Sequence, residues 1–279
     1  MRKIKIVADS SADLLSLEQV DFASAPLKII CADREFTDNA DLDLNEMSAF
    51  FDSYTGKSKT SCPNAADWLE AFGDADDIIC VTITSGLSGS YNTACIAKQM
   101  AEAETEGRRV FVLDTLSAGP EITLILHRLG ESVRKGMDYE EICADIQAYT
   151  KQTGLLFMLK SLKNFANNGR VSPIVAKIAG FAGICIVGKA SDEGTLEPTH
   201  KCRGESRSLE TLIEDLERNG FSKGKISIAH NRNEAGAHCL KDMIHEKFGK
   251  VQVEIHPCRG LCSFYAEKGG FLIGFEGSR

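Results

Sequence analysis

The segment from residue 77 to residue 104 sets the fold of this chain. It begins with the apolar run Asp77-Ile-Ile-Cys-Val-Thr-Ile83, continues through Thr84-Ser-Gly-Leu-Ser-Gly-Ser90 and ends with Tyr91 to Glu104. The apolar run predicts a buried strand, the stretch rich in glycine and hydroxyl residues predicts a loop, and the last part predicts a helix. Such a unit indicates a parallel sheet, because parallel strands need a crossover connection that is usually a helix.

Similar units precede and follow this segment. A predicted strand from Lys3 to Ala8 leads into Asp9-Ser-Ser11, and another from Arg109 to Asp114 leads into Thr115-Leu-Ser117. Strands that alternate with helices at this spacing are typical of parallel βαβ units. Since ligands gather at the carboxyl ends of the strands in such sheets, we expect these two polar loops and the loop at 84–90 to lie on one edge.

The pattern changes near residue 152. The segments Ile184–Ala190 and Thr195–Lys201 flank the turn Ser191-Asp-Glu-Gly194 and predict an antiparallel strand pair. A helix is predicted at Pro173–Ala179. The first part carries the acidic excess and the second part is net basic. We therefore predict an α/β protein with two domains: an α/β domain with a parallel sheet over 1–152 and an α+β domain with an antiparallel sheet over 153–279.

Other local predictions lie between these landmarks. They comprise an apolar run at Ala25–Cys31 and an irregular acidic stretch at Asp33–Asp43. Helices are predicted at Asn45–Tyr54, Ala65–Phe72, Tyr139–Thr153, Ser161–Ala166, Ser206–Arg218 and Asn233–Phe248, and a further helix follows the loop Thr115–Gly119 and reaches about Lys135. Strands are predicted at Leu155–Lys160, Lys225–His230, Val251–His256 and Gly270–Glu276.

Composition narrows the class of protein. The chain has 279 residues, 43% apolar and 26% charged, which is the mix of a soluble globular protein. Its net charge of −8 argues against general nucleic-acid binding, since an acidic surface repels phosphate backbones. The most apolar stretch, Ile174–Val187, is interrupted by Lys177 and several glycines, so we expect no transmembrane segment.

The ten cysteines predict the cellular compartment. The opening Arg2–Val7 is charged and alternating, unlike a secretory signal. No CxxC pair occurs, and most cysteines lie in apolar runs where they behave as small hydrophobes. We therefore expect free thiols in a reducing cytoplasm and no metal site.

The loop Thr84–Ser90 is the strongest candidate for a binding site. Its backbone N–H groups, its hydroxyls and the helix that follows together make a pocket for an anion, either phosphate or carboxylate. No Lys follows the glycines and no GxGxxG occurs, which excludes a P-loop and a dinucleotide fingerprint. A capped helix with a tight turn is the alternative interpretation of the loop.

The other candidates are individually weaker. Thr60-Ser61 and Asp9-Ser-Ser11 are both typical of helix N-caps as well as of ligand sites. Asp114 could be a base but has no evident partner, and Arg170 and Arg203 are cations that could equally lie on the surface. No GxSxG or HExxH motif occurs. The residues thus supply an anion site without a nucleophile–base pair.

Taken in order, these segments resemble the DegV family of bacterial fatty-acid-binding proteins. Thr84–Tyr91 is similar to the family's Ser-Ser-x-Leu-Ser-Gly-Thr-Tyr loop, and Ile6–Leu14 to its opening segment. Thr60–Pro63 matches its Thr-Ser-x-Pro segment, Leu162–Val171 resembles its Leu-Lys…Gly-Gly-Arg-Ile turn, and Lys201–Arg203 its Lys-x-Arg strand. The resemblance spans nearly the whole chain.

The resemblance implies a function and a site. It implies that a long-chain fatty acid is the ligand and that its carboxylate lies between the two domains. The Thr60 and Ser88 hydroxyls, with Ser61 beside them, and the Ser88 and Gly89 amides would hold that carboxylate, and Arg203 or Arg170 could add a further contact. It also implies a non-catalytic carrier that delivers the fatty acid to a separate kinase resembling dihydroxyacetone kinase, which makes acyl phosphate for phospholipid synthesis.

The chain departs from the family pattern in one segment. Many members have a His-Thr-Gly-Pro-Gly segment near the C-terminus, whose His contacts the carboxylate. The corresponding region here, Pro257–Gly270, has no matching His, and Cys262 or Ser263 falls nearest. Two rival functions remain open: a small-molecule phosphotransferase that uses the same crevice, and a regulatory protein whose lipid is structural.

Overall fold

The structure, a computed structural model, describes residues 2–172 and 183–277. The helix predicted at Pro173–Ala179 lies outside the described residues. The strands, numbered along the chain, are β1 (Ile4–Asp9), β2 (Phe22–Ala25), β3 (Lys28–Ile30), β4 (Glu35–Thr37), β5 (Lys59–Ser61), β6 (Asp77–Thr82), β7 (Arg109–Asp114), β8 (Thr153–Leu159), β9 (Ile184–Ala190), β10 (Leu196–Arg203), β11 (Lys225–His230), β12 (Gln252–Pro257) and β13 (Phe271–Glu276).

Helices connect most of these strands. Within the described residues the α-helices are α1 (Leu44–Ser53), α2 (Ala65–Phe72), α3 (Ser90–Glu104), α4 (Pro120–Arg134), α5 (Tyr139–Tyr149), α6 (Lys163–Asn167), α7 (Glu205–Arg218), α8 (Glu234–Phe248) and α9 (Gly260–Ala266). The last of these, α9, has no counterpart among the predicted elements.

The first sheet is parallel, as predicted. It has four strands in the order β2-β1-β6-β7. Every residue of β6 is buried, which explains its continuous apolar sequence. Because all four strands run in one direction, the loops that follow β1, β6 and β7 emerge at the same edge.

The second sheet has six strands in the order β10-β9-β8-β13-β11-β12. The predicted pair, β9 and β10, is antiparallel, and so are the other neighbours except β11 and β12, which run parallel. Helices α7 and α8 pack together on this sheet and help to bury its core, which includes Leu212, Leu240, Ile228 and Phe271. The sheet is therefore mixed rather than purely antiparallel.

A third sheet, β4-β3-β5, was not predicted. The apolar run Ala25–Cys31 divides at Pro26: β2 ends before it in the parallel sheet, and β3 begins after it in the small antiparallel sheet. Proline has no N–H for a strand ladder, so it marks the point where the chain leaves the first sheet. On β5, Thr60 lies opposite Ile29 of β3.

Helix α4 joins the two halves. It contacts β1 of the parallel sheet and also β8, β11 and β13 of the larger sheet. Its side chains Ile122, Ile125 and Leu126 are fully buried. The predicted domain boundary at 152/153 falls just before β8 and stays a prediction, because packing continues across it through α4.

Candidate functional site

A largely apolar cavity lies between the two halves of the chain. Of the residues singled out in the sequence, it is lined by Thr60, Ser61, Ser88, Gly89, Arg170 and Cys262. Further apolar walls come mainly from β8 and neighbouring segments of the second half: Leu155, Phe157, Leu159, Phe165, Leu196 and Leu272. Thr84, Ser117 and Tyr265 also line the cavity.

The formal charge among the described lining residues is positive. Among the described residues that line it, Arg170 is the only one with a formal charge, and no Asp or Glu lines it. The Arg170 Nε donates to the Leu87 carbonyl (3.1 Å) and Nη1 to the Asn168 carbonyl (2.6 Å), which fixes the guanidinium at the wall. Arg170 therefore lies at the cavity, where hydroxyls and one cation can accommodate an anionic group.

The loop after β6 is held in shape by its own backbone. Thr84 Oγ1 accepts from the Gly86 N–H (3.0 Å) and donates to the Gly194 carbonyl (2.8 Å), which ties this loop to the turn between β9 and β10. A side chain at Gly86 would place its Cβ 2.6 Å from the Glu193 carbonyl oxygen, so this position requires glycine.

The Ser88 and Gly89 N–H groups, which the resemblance implies as carboxylate donors, differ in whether they already have an acceptor. The Ser88 N–H already donates to the Thr84 carbonyl (3.2 Å). The Gly89 N–H has no acceptor within the described part of the chain. The Ser88 hydroxyl accepts from the Ser90 N–H (3.3 Å), which leaves its own proton available to a ligand. Gly89 and the Ser88 hydroxyl thus remain the candidate donors of this loop.

Asp9 organises the edge of the parallel sheet. One carboxylate oxygen accepts from the Ile83 N–H (2.8 Å) and the Ser90 hydroxyl (2.6 Å), and the other accepts from the N–H and hydroxyl of Ser11. Burial raises the pKa of this carboxyl group. Asp9 therefore caps the 3-10 turn Ser10–Ala12 and links β1 to the loop after β6.

Asp114 has a similar role at the end of β7. Its Oδ1 accepts from the backbone N–H groups of Ser85 and Leu116, each at 3.1 Å. It connects the loop after β6 to the loop after β7 and lies outside the residues that line the cavity. Both aspartates considered as acid–base candidates are thus engaged in holding loops.

Thr60 faces the cavity from β5 instead of capping a helix. The N-cap of α2 is Asn64, whose side chain accepts from the N–H groups of Ala66 and Asp67. Thr60 Oγ1 lies 2.8 Å from the hydroxyl oxygen of Tyr265 on α9. The segment therefore has two separate functions, a cap at Asn64 and a cavity hydroxyl at Thr60.

Two predicted candidates lie away from the cavity wall. Arg203 is at the exposed end of β10, opposite Ile184. Ser263 turns its hydroxyl to the Cys258 carbonyl (2.9 Å). Cys262 does line the cavity, with its thiol directed at the Ser11 carbonyl (3.4 Å), and burial raises its pKa well above the usual value, so it is a thiol.

Tyr265, Thr84 and Ser117 belong to the cavity wall but were not singled out as site residues. Thr84 and Ser117 were inside polar loops already noted, whereas Tyr265 had no local signal, since α9 itself was not predicted. No histidine lines the cavity among the described residues. His256, the histidine closest in sequence to the departing segment, lies on β12 with Nε2 3.0 Å from the Ser227 hydroxyl.

Further features of the described residues concern membrane-spanning helices, metal-ligand clusters and disulfides. None of its helices has the length and apolar character that crossing a membrane requires. Over residues 2–172 and 183–277, no group of three or more His, Cys, Asp or Glu side chains is arranged to hold a metal ion. The cysteines are all unpaired.

The fold and the cavity together define the class of protein. It is an α/β protein in which a parallel sheet and a mixed sheet enclose an apolar cavity with hydroxyl-bearing residues and Arg170 at its wall. The family model described as "Uncharacterised protein, DegV family" matches residues 3–276. The chain belongs to the DegV family. A DegV domain-containing protein of Streptococcus pneumoniae is 39% identical over 276 residues, covering 98% of each chain.

Two solved structures are similar over almost the whole chain. A DegV family protein from Eubacterium eligens, loaded with heptadecanoic acid, has a TM-score of 0.96 and 42% identity, covering 98% of this chain and 99% of that one. The Streptococcus pneumoniae Fatty Acid Kinase (Fak) B3 protein, loaded with linoleic acid, also has a TM-score of 0.96, with 39% identity and the same coverage. Fatty acids are thus the ligands of these relatives.

Proposed function

We propose that this chain binds one long-chain fatty acid in the cavity between its two halves. The observation that carries the proposal is the composition of the wall: apolar side chains, hydroxyls and Arg170, with no acidic side chain among the described lining residues. The relatives that hold heptadecanoic and linoleic acid support the same ligand class. The carboxylate would be bound by Thr60, Ser61, Ser88 and Gly89.

Burial of the acyl tail and satisfaction of the carboxylate both contribute to the free energy of binding. A sixteen-carbon tail buries about 14 methylenes at roughly 0.8 kcal/mol each, or about 11 kcal/mol gross. Association costs on the order of 4–15 kcal/mol, so the tail alone does not guarantee tight binding. The carboxylate must also keep its hydrogen bonds, because an unpaired buried charge is strongly unfavourable. Hydroxyls and a backbone N–H supply those bonds here.

We further propose that the protein is a non-catalytic carrier in the cytoplasm that presents the carboxylate to a separate fatty acid kinase. The similarity to the Fak B3 protein supports this role. The chain's own carboxylates give no support to a phosphotransferase, since both Asp9 and Asp114 already accept hydrogen bonds from loop donors. The kinase would therefore supply the phosphoryl-transfer chemistry.

The proposal is tested by mass spectrometry of an organic extract of the purified protein. We expect a long-chain fatty acid near one equivalent per chain, and uptake of added palmitate after lipid removal. An extract without acyl species, together with no uptake of palmitate, would refute the fatty-acid ligand. ATP turnover by the isolated chain that disappears in Asp9→Asn or Asp114→Asn would refute the carrier role.

A further inference from the structure

One polar contact at the cavity wall joins segments that are far apart in sequence. The hydroxyl oxygens of Thr60 on β5 and Tyr265 on α9 are 2.8 Å apart, and both residues line the cavity. The contact therefore connects the small antiparallel sheet of the first half to the last helix of the second half. Its position suggests a role in binding the head group of a ligand.

The Tyr265 ring is held firmly. It packs against Phe165, with ring centroids 4.6 Å apart, and against Phe264 at 5.0 Å. It also contacts three hydrophobic clusters of the protein, one from each sheet region. A ring packed in this way places its hydroxyl before the ligand arrives, which reduces the entropy lost on binding.

The donor direction of the contact follows from the chemistry of a carboxylate. A carboxylate only accepts hydrogen bonds, so a Thr60 hydroxyl that binds it must donate its single proton to it. Thr60 can then only accept from Tyr265. Burial raises the pKa of Tyr265, so its phenol keeps the proton that this arrangement needs.

We propose that Tyr265 is a positioning residue that orients the Thr60 hydroxyl as a donor toward the ligand head group and thereby selects a carboxylate. The resulting chain runs from the Tyr265 O–H to Thr60 Oγ1, and from the Thr60 O–H to the carboxylate. Linked hydrogen bonds polarise one another, which strengthens the terminal donor. This inference rests on the proposed fatty-acid-binding function.

The selection works against head groups that must also donate. A fatty alcohol carries a proton that needs an acceptor in the cavity. While Tyr265 donates to Thr60, the Thr60 oxygen is less available to accept that proton. Removing the phenol hydroxyl frees the Thr60 oxygen, so the alcohol should gain relative to the carboxylate.

The test uses delipidated protein and two ligands with the same tail, palmitate and hexadecanol, measured by displacement of a fluorescent fatty acid. In Tyr265→Phe, which keeps the ring contacts with Phe165 and Phe264, we expect palmitate affinity to fall about three- to tenfold, the effect of one net hydrogen bond. We expect hexadecanol affinity to stay level or rise, so the ratio of the two affinities falls at least threefold by the same estimate.

Two further variants separate this role from a structural one. Tyr139→Phe removes a phenol hydroxyl that donates to the Ile78 carbonyl (3.3 Å), away from the cavity wall, and should leave the affinity ratio unchanged. In a Thr60→Val background, Tyr265→Phe should no longer change the ratio, because the two effects are coupled through Thr60.

The possible results distinguish failure of the positioning role of Tyr265 from failure of the proposed fatty-acid-binding function. An unchanged ratio in a folded Tyr265→Phe protein, or equal losses for both ligands, would refute the positioning role and leave the proposed function standing. A full effect of Tyr265→Phe in the Thr60→Val background would also refute action through Thr60. A wild-type protein that binds neither ligand would refute the proposed function and this inference with it.

Discussion

At the scale of single residues, the Ser88 hydroxyl has the clearest expected effect on binding. It lines the cavity and accepts from the Ser90 N–H, so its proton is free to meet a carboxylate. A hydrogen bond to a charged group contributes about 1.5–3 kcal/mol. We therefore expect Ser88→Ala to weaken palmitate binding roughly ten- to a hundredfold, with a smaller effect for Thr60→Val.

The measurement is a titration of delipidated protein, with the melting temperature of the empty variant recorded in parallel. Ser85→Ala is the matched control, since Ser85 is on the same loop but is exposed and lies outside the cavity wall. If Ser88→Ala binds palmitate as the wild type does while its fold is intact, the Ser88 hydroxyl does not bind the head group.

At the scale of elements, the start of α9 depends on two carboxylates from the first half. Asp13 accepts from the Arg259 N–H (2.9 Å), and Asp38 accepts from the N–H groups of Gly260 (3.0 Å) and Leu261 (2.8 Å). Side-chain oxygen acceptors are favourable at this end of a helix because its first N–H groups have no partner within the helix. The two carboxylates also fix the helix that carries Tyr265 and Cys262.

The raised pKa of Asp13 predicts that the stability of the protein depends on pH. Its burial, and secondly the charge of Asp38, raises the pKa of Asp13 to about 8. The pKa of an unfolded Asp is about 4, so the native state holds an extra proton at pH values between the two pKa values. Stability should therefore be greatest at low pH with respect to this group, and should fall as pH rises through that window, at up to about 1.4 kcal/mol per unit.

We expect Asp13→Asn to flatten this dependence, because Asn keeps the acceptor for the Arg259 N–H without a charge. Urea unfolding at several values between about pH 5 and about pH 8 would measure it, within the window that the linkage relation defines. The exposed Asp33→Asn serves as the control. A variant that loses stability with rising pH as steeply as the wild type would show that Asp13 is not the titrating group.

At the scale of the whole molecule, a ligand in this cavity touches both halves of the chain. Thr60 and Ser88 come from the first half, and Phe157 and Leu272 from the second. A ligand that binds the native state but not the unfolded state stabilises the native state by about 2.7 kcal/mol when the free ligand is at a hundred times its Kd. For a chain of this size each kcal/mol raises the melting temperature by about 2–4 °C.

We therefore expect palmitate at that concentration to raise the melting temperature of delipidated protein by roughly 5–10 °C. Scanning calorimetry of empty and loaded protein checks this, and Ser88→Ala at the same palmitate concentration should show a smaller rise. Equal melting temperatures with and without bound palmitate would contradict a ligand that joins the two halves.

The sequence alone was sufficient for the features that depend on short segments. The buried strand Asp77–Thr82, its polar loop and the α3 helix follow from the local pattern of apolar, glycine and hydroxyl residues. The parallel order of such units then places the loops after β1 and β6 at one edge, because all parallel strands end there. Of the six cavity residues that the sequence singled out, Ser88 and Gly89 lie on such a loop, after β6.

Tertiary structure decided the contacts between segments that are distant in sequence. Thr60 and Tyr265 are 205 positions apart, and neither segment contains a signal for the other. Helix α9 begins where Asp13 and Asp38 meet its first N–H groups, and a propensity pattern of seven residues is too short to predict it. Likewise, chain folding brings Arg170 to the cavity and leaves Arg203 at an exposed strand end, because local sequence determines backbone preference but not which surfaces meet.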